Sequence, residues 1–144
     1  MKAITVEPHK PETAHLEDIP EPDARGGSVL VEAIAVGVCG TDVEIVEGKY
    51  GWAPRGKTRL VLGHESLARV VDPGPSGALE TGGLVVGSVN ANKRHWYKAG
   101  QVLARADRAW LARLVTRREP PEQFMRALQR QPEDIKVVIQ CAQA

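Results

Sequence analysis

The stretch VGVCGTDVEI, residues 36–45, sets a cysteine among glycines and follows it with a hydroxyl and a carboxylate. A long apolar run leads into Cys39, so the pattern predicts a buried strand that ends at this residue. Cysteine is often buried for packing alone, and that interpretation of Cys39 stays open. The alternative is that Cys39 is the first ligand of a metal ion.

A second stretch, LVLGHES at residues 60–66, favours the metal interpretation. A glycine ends its apolar run and delivers His64 and Glu65 together. Thiolate, imidazole and carboxylate are the three ligand types of zinc, and a catalytic zinc uses three protein ligands with one open position. Cys39, His64 and Glu65 would complete such a set, although no tight C-x-x-C spacing fixes its geometry.

Length and composition describe one ordinary globular domain. The chain has 144 residues, of which 42% are hydrophobic and 26% charged, and domains of about 100 to 150 residues are the most common. A net charge of +1 gives no electrostatic reason to expect nucleic acid or an anionic membrane as a partner. Two cysteines, no secretion signal and no membrane-length apolar run predict a soluble, cytoplasmic protein.

Strand patterns dominate the first half of the chain. They predict strands in residues 2–8 and 28–40 and two short strands within residues 59–72, with a short helix starting near residue 42. Residues 15–27 contain proline and glycine and are predicted to be a connection. We therefore expect a β-rich segment over residues 1–77.

The second half, residues 78–144, has a different pattern. Residues 82–89 and 134–140 are predicted strands, and apolar residues at helical intervals predict helices in 96–118 and 120–130. The order predicts an α+β fold, an irregular β-barrel or sheet with helices at one end. Five arginines of this half are expected to form a solvated face, with a phosphate or partner site as the alternative: Arg113, Arg117, Arg118, Arg126 and Arg130.

These segments resemble a known family. VGVCGTDVEIVEGKYGWAPRGKTRLVLGHES is similar to the N-terminal catalytic domain of the zinc-dependent medium-chain dehydrogenases/reductases, in the glucose dehydrogenase branch. VGSVNANKRHW and WLARLVTRREPPEQFMRALQRQPEDIKVVI resemble the C-terminal part of the same branch. The resemblance implies a truncated GroES-like catalytic domain over residues 1–144, a partly open β-barrel with C-terminal helices.

The chain also departs from this family. Members of the family carry, between the two segments, the rest of the barrel, a lobe that often holds a second zinc through four cysteines, and a Rossmann domain. Here the first segment runs almost directly into the second, and no G-x-G-x-x-G fingerprint is present. Because that fingerprint is what cradles a dinucleotide pyrophosphate, we expect zinc but not NAD(P) as a cofactor.

By motif matching, the resemblance implies roles for individual residues near the cysteine. Cys39 and His64 would be zinc ligands, and Glu65 a ligand or a carboxylate close to the metal. Thr41 matches the hydroxyl that passes the proton of the reacting alcohol onward, and Glu44 lies where the next member of that relay is often found. The alternative for Thr41 is a hydroxyl that caps the following turn.

Substrate-binding candidates follow the predicted strand at residues 82–89. Asn90, Asn92 and His95 match positions that reach substrate or cofactor in sugar-oxidising relatives, and an amide offers both donors and an acceptor to a polyol. The alternative is local: Asn92 could be the N-cap of the next helix. Trp52, in a glycine-rich loop, could form the wall of a pocket near the metal or simply pack.

Three functions are compatible with these features. The first is a zinc-dependent, nicotinamide-independent enzyme, a lyase, isomerase, cyclase or hydrolase acting on a small oxygenated molecule. The second is a non-catalytic scaffold that forms a homodimer through the exposed edge of the strand LVVGSV. The third is an NAD(P)-dependent glucose or alcohol dehydrogenase fragment that needs a partner cofactor domain. We rank them in that order.

Overall fold

Eight strands and four α-helices make up the chain in a computed structural model that describes residues 1–23 and 28–143. The strands are β1 (Lys2–Val6), β2 (His15–Asp18), β3 (Leu30–Val38), β4 (Leu60–Val61), β5 (Ser66–Asp72), β6 (Leu84–Gly87), β7 (Val115–Glu119) and β8 (Lys136–Gln140). The helices are α1 (Gly40–Val46), α2 (Lys93–Arg105), α3 (Arg108–Ala112) and α4 (Phe124–Leu128), with a 3-10 turn at Pro121–Gln123.

The strands form two sheets. A three-stranded sheet has the order β2-β1-β4, and a five-stranded sheet has the order β6-β5-β3-β8-β7. All neighbours are antiparallel except β7 and β8, which are parallel. The predicted α+β class with open sheets is confirmed. Since β3 is the central strand of the larger sheet, its carboxyl end delivers Cys39 between β5 and β8.

Val6, Ile34 and Val70 are the most deeply buried large side chains of the two sheets, and a separate buried cluster lies where α4 packs on β8. Phe124 and Ala127 of the helix contact Val137 and Ile139 of the strand. Partly buried side chains of the smaller sheet, including Leu16, pack against this cluster. The C-terminal segment therefore joins the two sheets. Among the helices of the described residues, none is long and apolar enough to span a bilayer.

Two secondary-structure predictions are wrong. Residues 15–18 form strand β2 within the predicted connection, because they pair with residues 2–5 of β1. Residues 115–118 form part of strand β7 instead of a helix, because parallel pairing with β8 outweighs their helical spacing. The remainder of the predicted connection includes residues 24–27, which lie outside the described residues.

The prediction of a solvated arginine face is wrong for Arg117. Its side chain is only 14% exposed and donates to Asp134 Oδ2 at 2.8 Å and to Glu119 Oε1 at 3.0 Å. The same guanidinium donates to the backbone carbonyls of Arg126 at 2.7 Å and Gln129 at 2.9 Å. The reason is the strand: alternation along β7 turns Arg117 inward, where two carboxylates replace its water.

Candidate metal centre

The metal-ligand candidates converge at the carboxyl end of β3. Cys39 precedes α1, and its Sγ lies 3.1 Å from Nε2 of His64. The thiol, the imidazole and a carboxylate oxygen of Glu65 all lie within 4.8 Å of one another, and all three residues are partly buried. The structure thus brings together the three side chains that the sequence singled out from two loops.

Glycine at position 63 is required to present His64. Its backbone has φ +110, a conformation that residues with a side chain rarely adopt. A Cβ at this position would also lie 2.8 Å from Cγ1 of Val36 on the neighbouring strand. The glycine therefore lets the chain turn sharply from β4 towards β5 with the imidazole directed at Cys39.

A buried carboxylate supports the imidazole. Asp42, in the first turn of α1, accepts from the backbone N–H of Cys39 at 2.9 Å through Oδ2. Its other oxygen, Oδ1, lies 3.4 Å from Nδ1 of His64 and has no hydrogen-bond partner, although the side chain is only 6% exposed. A metal-bound histidine commonly faces a carboxylate through its second nitrogen, so this orphaned oxygen fits a ligand role for His64.

A lysine pairs with the third candidate ligand. The Lys136 ammonium, at the start of β8, contacts Oε2 of Glu65 and donates to the Val38 carbonyl at 3.0 Å. The Glu65 carboxylate can therefore bind either the Lys136 ammonium or a metal ion. Cys39 and His64 are therefore the firmer pair of candidate ligands, and Glu65 is the exchangeable one.

The donor set fits zinc. Zn–S and Zn–N bonds of about 2.3 and about 2.0 Å place sulfur and nitrogen bound to one ion within about 4 Å of each other, as the Cys39 and His64 atoms are. A soft thiolate beside an imidazole also favours zinc over calcium or magnesium, which prefer oxygen ligands. Three protein groups leave a position open for a further ligand.

The remaining candidates do not belong to this cluster as the structure describes it. Thr41 is partly buried and Glu44 is exposed, both on α1. Asn90, Asn92 and His95 are exposed before and within the first turn of α2. Asn92 is the predicted N-cap, since its side chain accepts from the His95 N–H at 3.1 Å. Trp52 is 69% exposed, and its ring contacts Tyr50 and His9.

Sequence analysis missed Asp42 and Lys136. Asp42 could have been noticed, because an acidic residue three positions after a candidate N-cap is a common helix-start signal. Lys136 carries no such local signal, because it is far from residue 65 in the sequence. Only the pairing of β3 with β8 brings its ammonium to Glu65.

Comparisons with known proteins identify glucose dehydrogenases as similar to this chain. The family model for the glucose dehydrogenase C-terminus matches residues 77–141. Glucose 1-dehydrogenase of Thermoproteus tenax is 49% identical over 90 residues, 62% of this chain and 26% of that protein. Glucose 1-dehydrogenase 2 of Vulcanisaeta moutnovskia is 54% identical over 74 residues, 51% of this chain and 21% of that protein.

Among solved structures, Haloferax mediterranei glucose dehydrogenase in complex with NADP, zinc and gluconolactone matches with a TM-score of 0.54. The identity is 37%, over 67% of this chain and 28% of the other. The chain is therefore similar to the glucose dehydrogenases, through the family model over residues 77–141 and through the named relatives. This similarity agrees with the resemblance of its motifs to the zinc-dependent medium-chain dehydrogenases/reductases. The chain spans about a quarter of the length of the relatives it matches.

These findings correct the expected chemistry. The first-ranked function, a non-redox lyase, isomerase, cyclase or hydrolase, is wrong, because the relatives are named as dehydrogenases and a matching structure holds NADP. The structure of the longer Haloferax mediterranei enzyme holds NADP and zinc, whereas the expectation against NAD(P) concerned this chain and stays a prediction. The absence of a nucleotide fingerprint from residues 1–144 therefore does not indicate a new reaction.

Gly37 provides a test of how closely the site is packed. A Cβ at Gly37 would lie 2.7 Å from Oε2 of Glu65 and 2.8 Å from Cε of Lys136. Gly37→Ala should push this pair aside and weaken zinc binding about 10-fold or more, the scale of changes around metal ligands. Competition with a chromogenic chelator measures the affinity.

Gly40→Ala is the matched control for this substitution. A Cβ at Gly40 meets nothing within 4 Å, so the same change three residues away should leave the zinc affinity unchanged. Equal affinities of the two variants would show that the Glu65 and Lys136 side chains move aside without cost and play no part in the site.

Proposed function

We propose that residues 1–144 are the zinc-binding, substrate-side part of an NAD(P)-dependent dehydrogenase for glucose or a related alcohol. The hydride acceptor would be held by a nucleotide-binding domain outside these residues. The observation that supports this function is the convergence of Cys39, His64 and Glu65 in a chain whose relatives are named glucose 1-dehydrogenases. This is the fragment function that sequence analysis ranked third.

Zinc bound at this site would supply Lewis acidity at a substrate oxygen. Cys39 and His64 would hold the ion, and Asp42 would fix the orientation of the imidazole through its buried Oδ1. Glu65 would exchange between the zinc and Lys136. Because Glu65 could leave the zinc, the coordination shell could change when substrate enters. The Lys136 ammonium would then compensate the negative charge of Glu65.

Proton movement would use α1. Thr41 follows Cys39 by two residues and lies in the first turn of α1. Glu44 is three residues further on the same helix, on the same face and exposed to solvent. We expect Thr41 to accept the proton of the substrate hydroxyl and Glu44 to pass it to water.

The substrate-binding roles of Asn90, Asn92, His95 and Trp52 stay predictions. Exposure of all four leaves their polar atoms and rings accessible to a sugar. The Asn92 side chain already caps α2, so a substrate contact through its amide would compete with that hydrogen bond. A cytoplasmic location also stays a prediction; it would keep the Cys39 thiol reduced and able to bind metal.

Complementation tests the function. The chain, loaded with zinc, is mixed with the separately produced nucleotide-binding domain of Thermoproteus tenax glucose 1-dehydrogenase, and NADPH formation from glucose and NADP is followed by absorbance. We expect activity only when both components are present. Thr41→Val should abolish that activity and retain zinc, whereas Thr81→Val, on an exposed turn, should have no effect.

No NADPH from the mixture, with zinc bound and the added domain folded, would contradict the proposed function. Equal activity of Thr41→Val and Thr81→Val would contradict the proton relay alone. Zinc content, measured in the same samples, separates a lost metal from a lost reaction.

A further inference from the structure

Helix α2 and the short α3 after it form an arm that contributes nothing to the core. No residue of either helix is buried. One face of α2 is nonetheless apolar: Trp96, Gly100 and Leu103 follow each other at helical spacing. The Trp96 indole N–H donates to the Ala91 carbonyl at 3.1 Å, so its ring is fixed while its surface stays exposed.

A concave apolar surface lies elsewhere in the molecule. A cleft of about 940 Å³ lies between the two sheets and is lined mainly by apolar side chains. Val31 of β3, Val61 of β4 and Val71 of β5 line it and remain 41 to 50% exposed, as residues of an unfilled core would be. The fold therefore contains an uncovered apolar helix face and an apolar cleft that nothing within the described residues fills.

Charge makes these two surfaces complementary. Residues 81–144 carry 11 basic and 5 acidic side chains, whereas residues 1–80 carry 8 basic and 13 acidic ones. On α2, Arg94, Lys98 and Arg105 flank the apolar face. The exposed carboxylates of Glu21 and Glu32 line the cleft without the Lys2 partner and form its acidic rim. Lys2 pairs with Glu122 at 2.9 Å, and both line the cleft. The Met1 ammonium also lines the cleft, and Asp42 is buried beside His64.

We propose that α2 of one copy docks in the inter-sheet cleft of a second copy, and that the exchange is reciprocal. Each chain has one such helix and one such cleft, so a two-fold pair satisfies both contacts at once. The apolar face would fill the cleft, as an amphipathic helix does in a hydrophobic groove, and the arginines and lysine would meet its acidic rim. This inference is independent of the proposed dehydrogenase function.

A homodimer through the edge of β6 is the competing arrangement and was the expectation from sequence. The strand does lie at the edge of the five-stranded sheet, and Val86 is 74% exposed there. Pairing of backbone edges depends little on charge. Docking of α2 in an acidic cleft, by contrast, weakens with salt, so ionic strength separates the two.

Sedimentation of the full chain gives the first measurement. We expect a mass of twice 15.6 kDa at low salt and dissociation as sodium chloride is added. Leu103→Glu on α2 and Val31→Glu in the cleft should each give a monomer, whereas Val86→Glu on β6 should leave the dimer intact. All three positions are exposed, so the circular dichroism spectrum should not change.

Mixing gives the decisive result. Leu103→Glu retains an intact cleft and Val31→Glu an intact helix, so an equimolar mixture should restore a dimer that neither variant forms alone. A monomeric wild-type chain, an open-ended polymer, or a monomer produced by Val86→Glu would each overturn the proposal. Wild-type monomers that sediment with phosphatidylserine vesicles would also overturn it, because the helix would then be a membrane-binding element.

Discussion

Replacing Cys39 with serine is expected to abolish stoichiometric zinc binding, with a loss of affinity of at least about 100-fold. Changes in the groups around a ligand usually cost 10- to 100-fold, and Cys39 supplies the sulfur itself. Its Sγ lies 3.1 Å from Nε2 of His64, so no other described group can take its place without moving the loop. Elemental analysis after dialysis and chelator competition give the stoichiometry and the affinity.

Cys141→Ser is the matched control. This second thiol follows the end of β8, and partial burial raises its pKa, which disfavours the thiolate that a metal needs. Zinc binding should survive this change. If Cys39→Ser and Cys141→Ser retained the same zinc content, the Cys39 site would not be the metal site.

Lys136→Met tests the exchange of Glu65. Removal of the ammonium frees the carboxylate for the metal, so we expect the zinc affinity to rise several-fold. A fall in affinity would mean instead that the lysine holds Glu65 in place.

The second large effect concerns stability. Arg117→Met should lower the free energy of unfolding by about 3 kcal/mol, the scale for breaking a buried ion pair on one side. It removes the guanidinium that pairs with the carboxylates of Asp134 and Glu119, which are 5% and 7% exposed, and leaves Glu119 with Arg126 Nε at 3.9 Å. The free energy of unfolding of domains of this size is only about 5 to 15 kcal/mol, so the denaturant midpoint should fall markedly.

Arg118→Met is the control on the same strand. Arg118 is exposed and donates to Oε1 of Gln140 at 3.0 Å, so its loss should change stability by less than about 0.5 kcal/mol. Equal destabilisation by both substitutions would show that strand propensity, rather than the ion cluster, accounts for the effect.

The pH dependence of the free energy of unfolding independently tests the ion cluster of Arg117, Asp134 and Glu119. The hydrogen bond from Arg117 lowers the pKa of Asp134 below its usual range. A group with a lowered folded-state pKa stabilises the fold above its unfolded pKa, and this contribution is lost as the pH falls through the folded pKa. The stability gap between wild type and Arg117→Met should therefore narrow below about pH 4.

The sequence identified the candidate metal site because its signals are local. Cys39 ends a long apolar strand, and Gly63 marks the turn that presents His64 and Glu65. Backbone geometry at these points depends on neighbouring residues, so the residue types themselves carry the information. The same holds for Asn92, whose capping role depends on a residue three positions away.

The wrong predictions concern strands whose formation depends on pairing with another strand. Residues 115–118 continue the helical spacing of the residues before them, so periodicity favoured a helix over strand β7. The decision came from β8, whose parallel pairing turns Arg117 towards Asp134 and Glu119. Likewise, β2 was missed because its pairing with β1 offsets the unfavourable composition around it.

From its amino acids alone, the chain specifies its resemblance to the glucose dehydrogenases, its principal strands and the three groups that can hold a metal, because each depends on residue type and short spacing. Tertiary structure decides what surrounds those groups. Strand pairing brings Lys136 to Glu65, the first turn of α1 buries Asp42 beside His64, and the two sheets leave a cleft while α2 stays uncovered. These contacts join residues far apart in the chain, and local patterns of hydrophobicity and charge do not encode such distances.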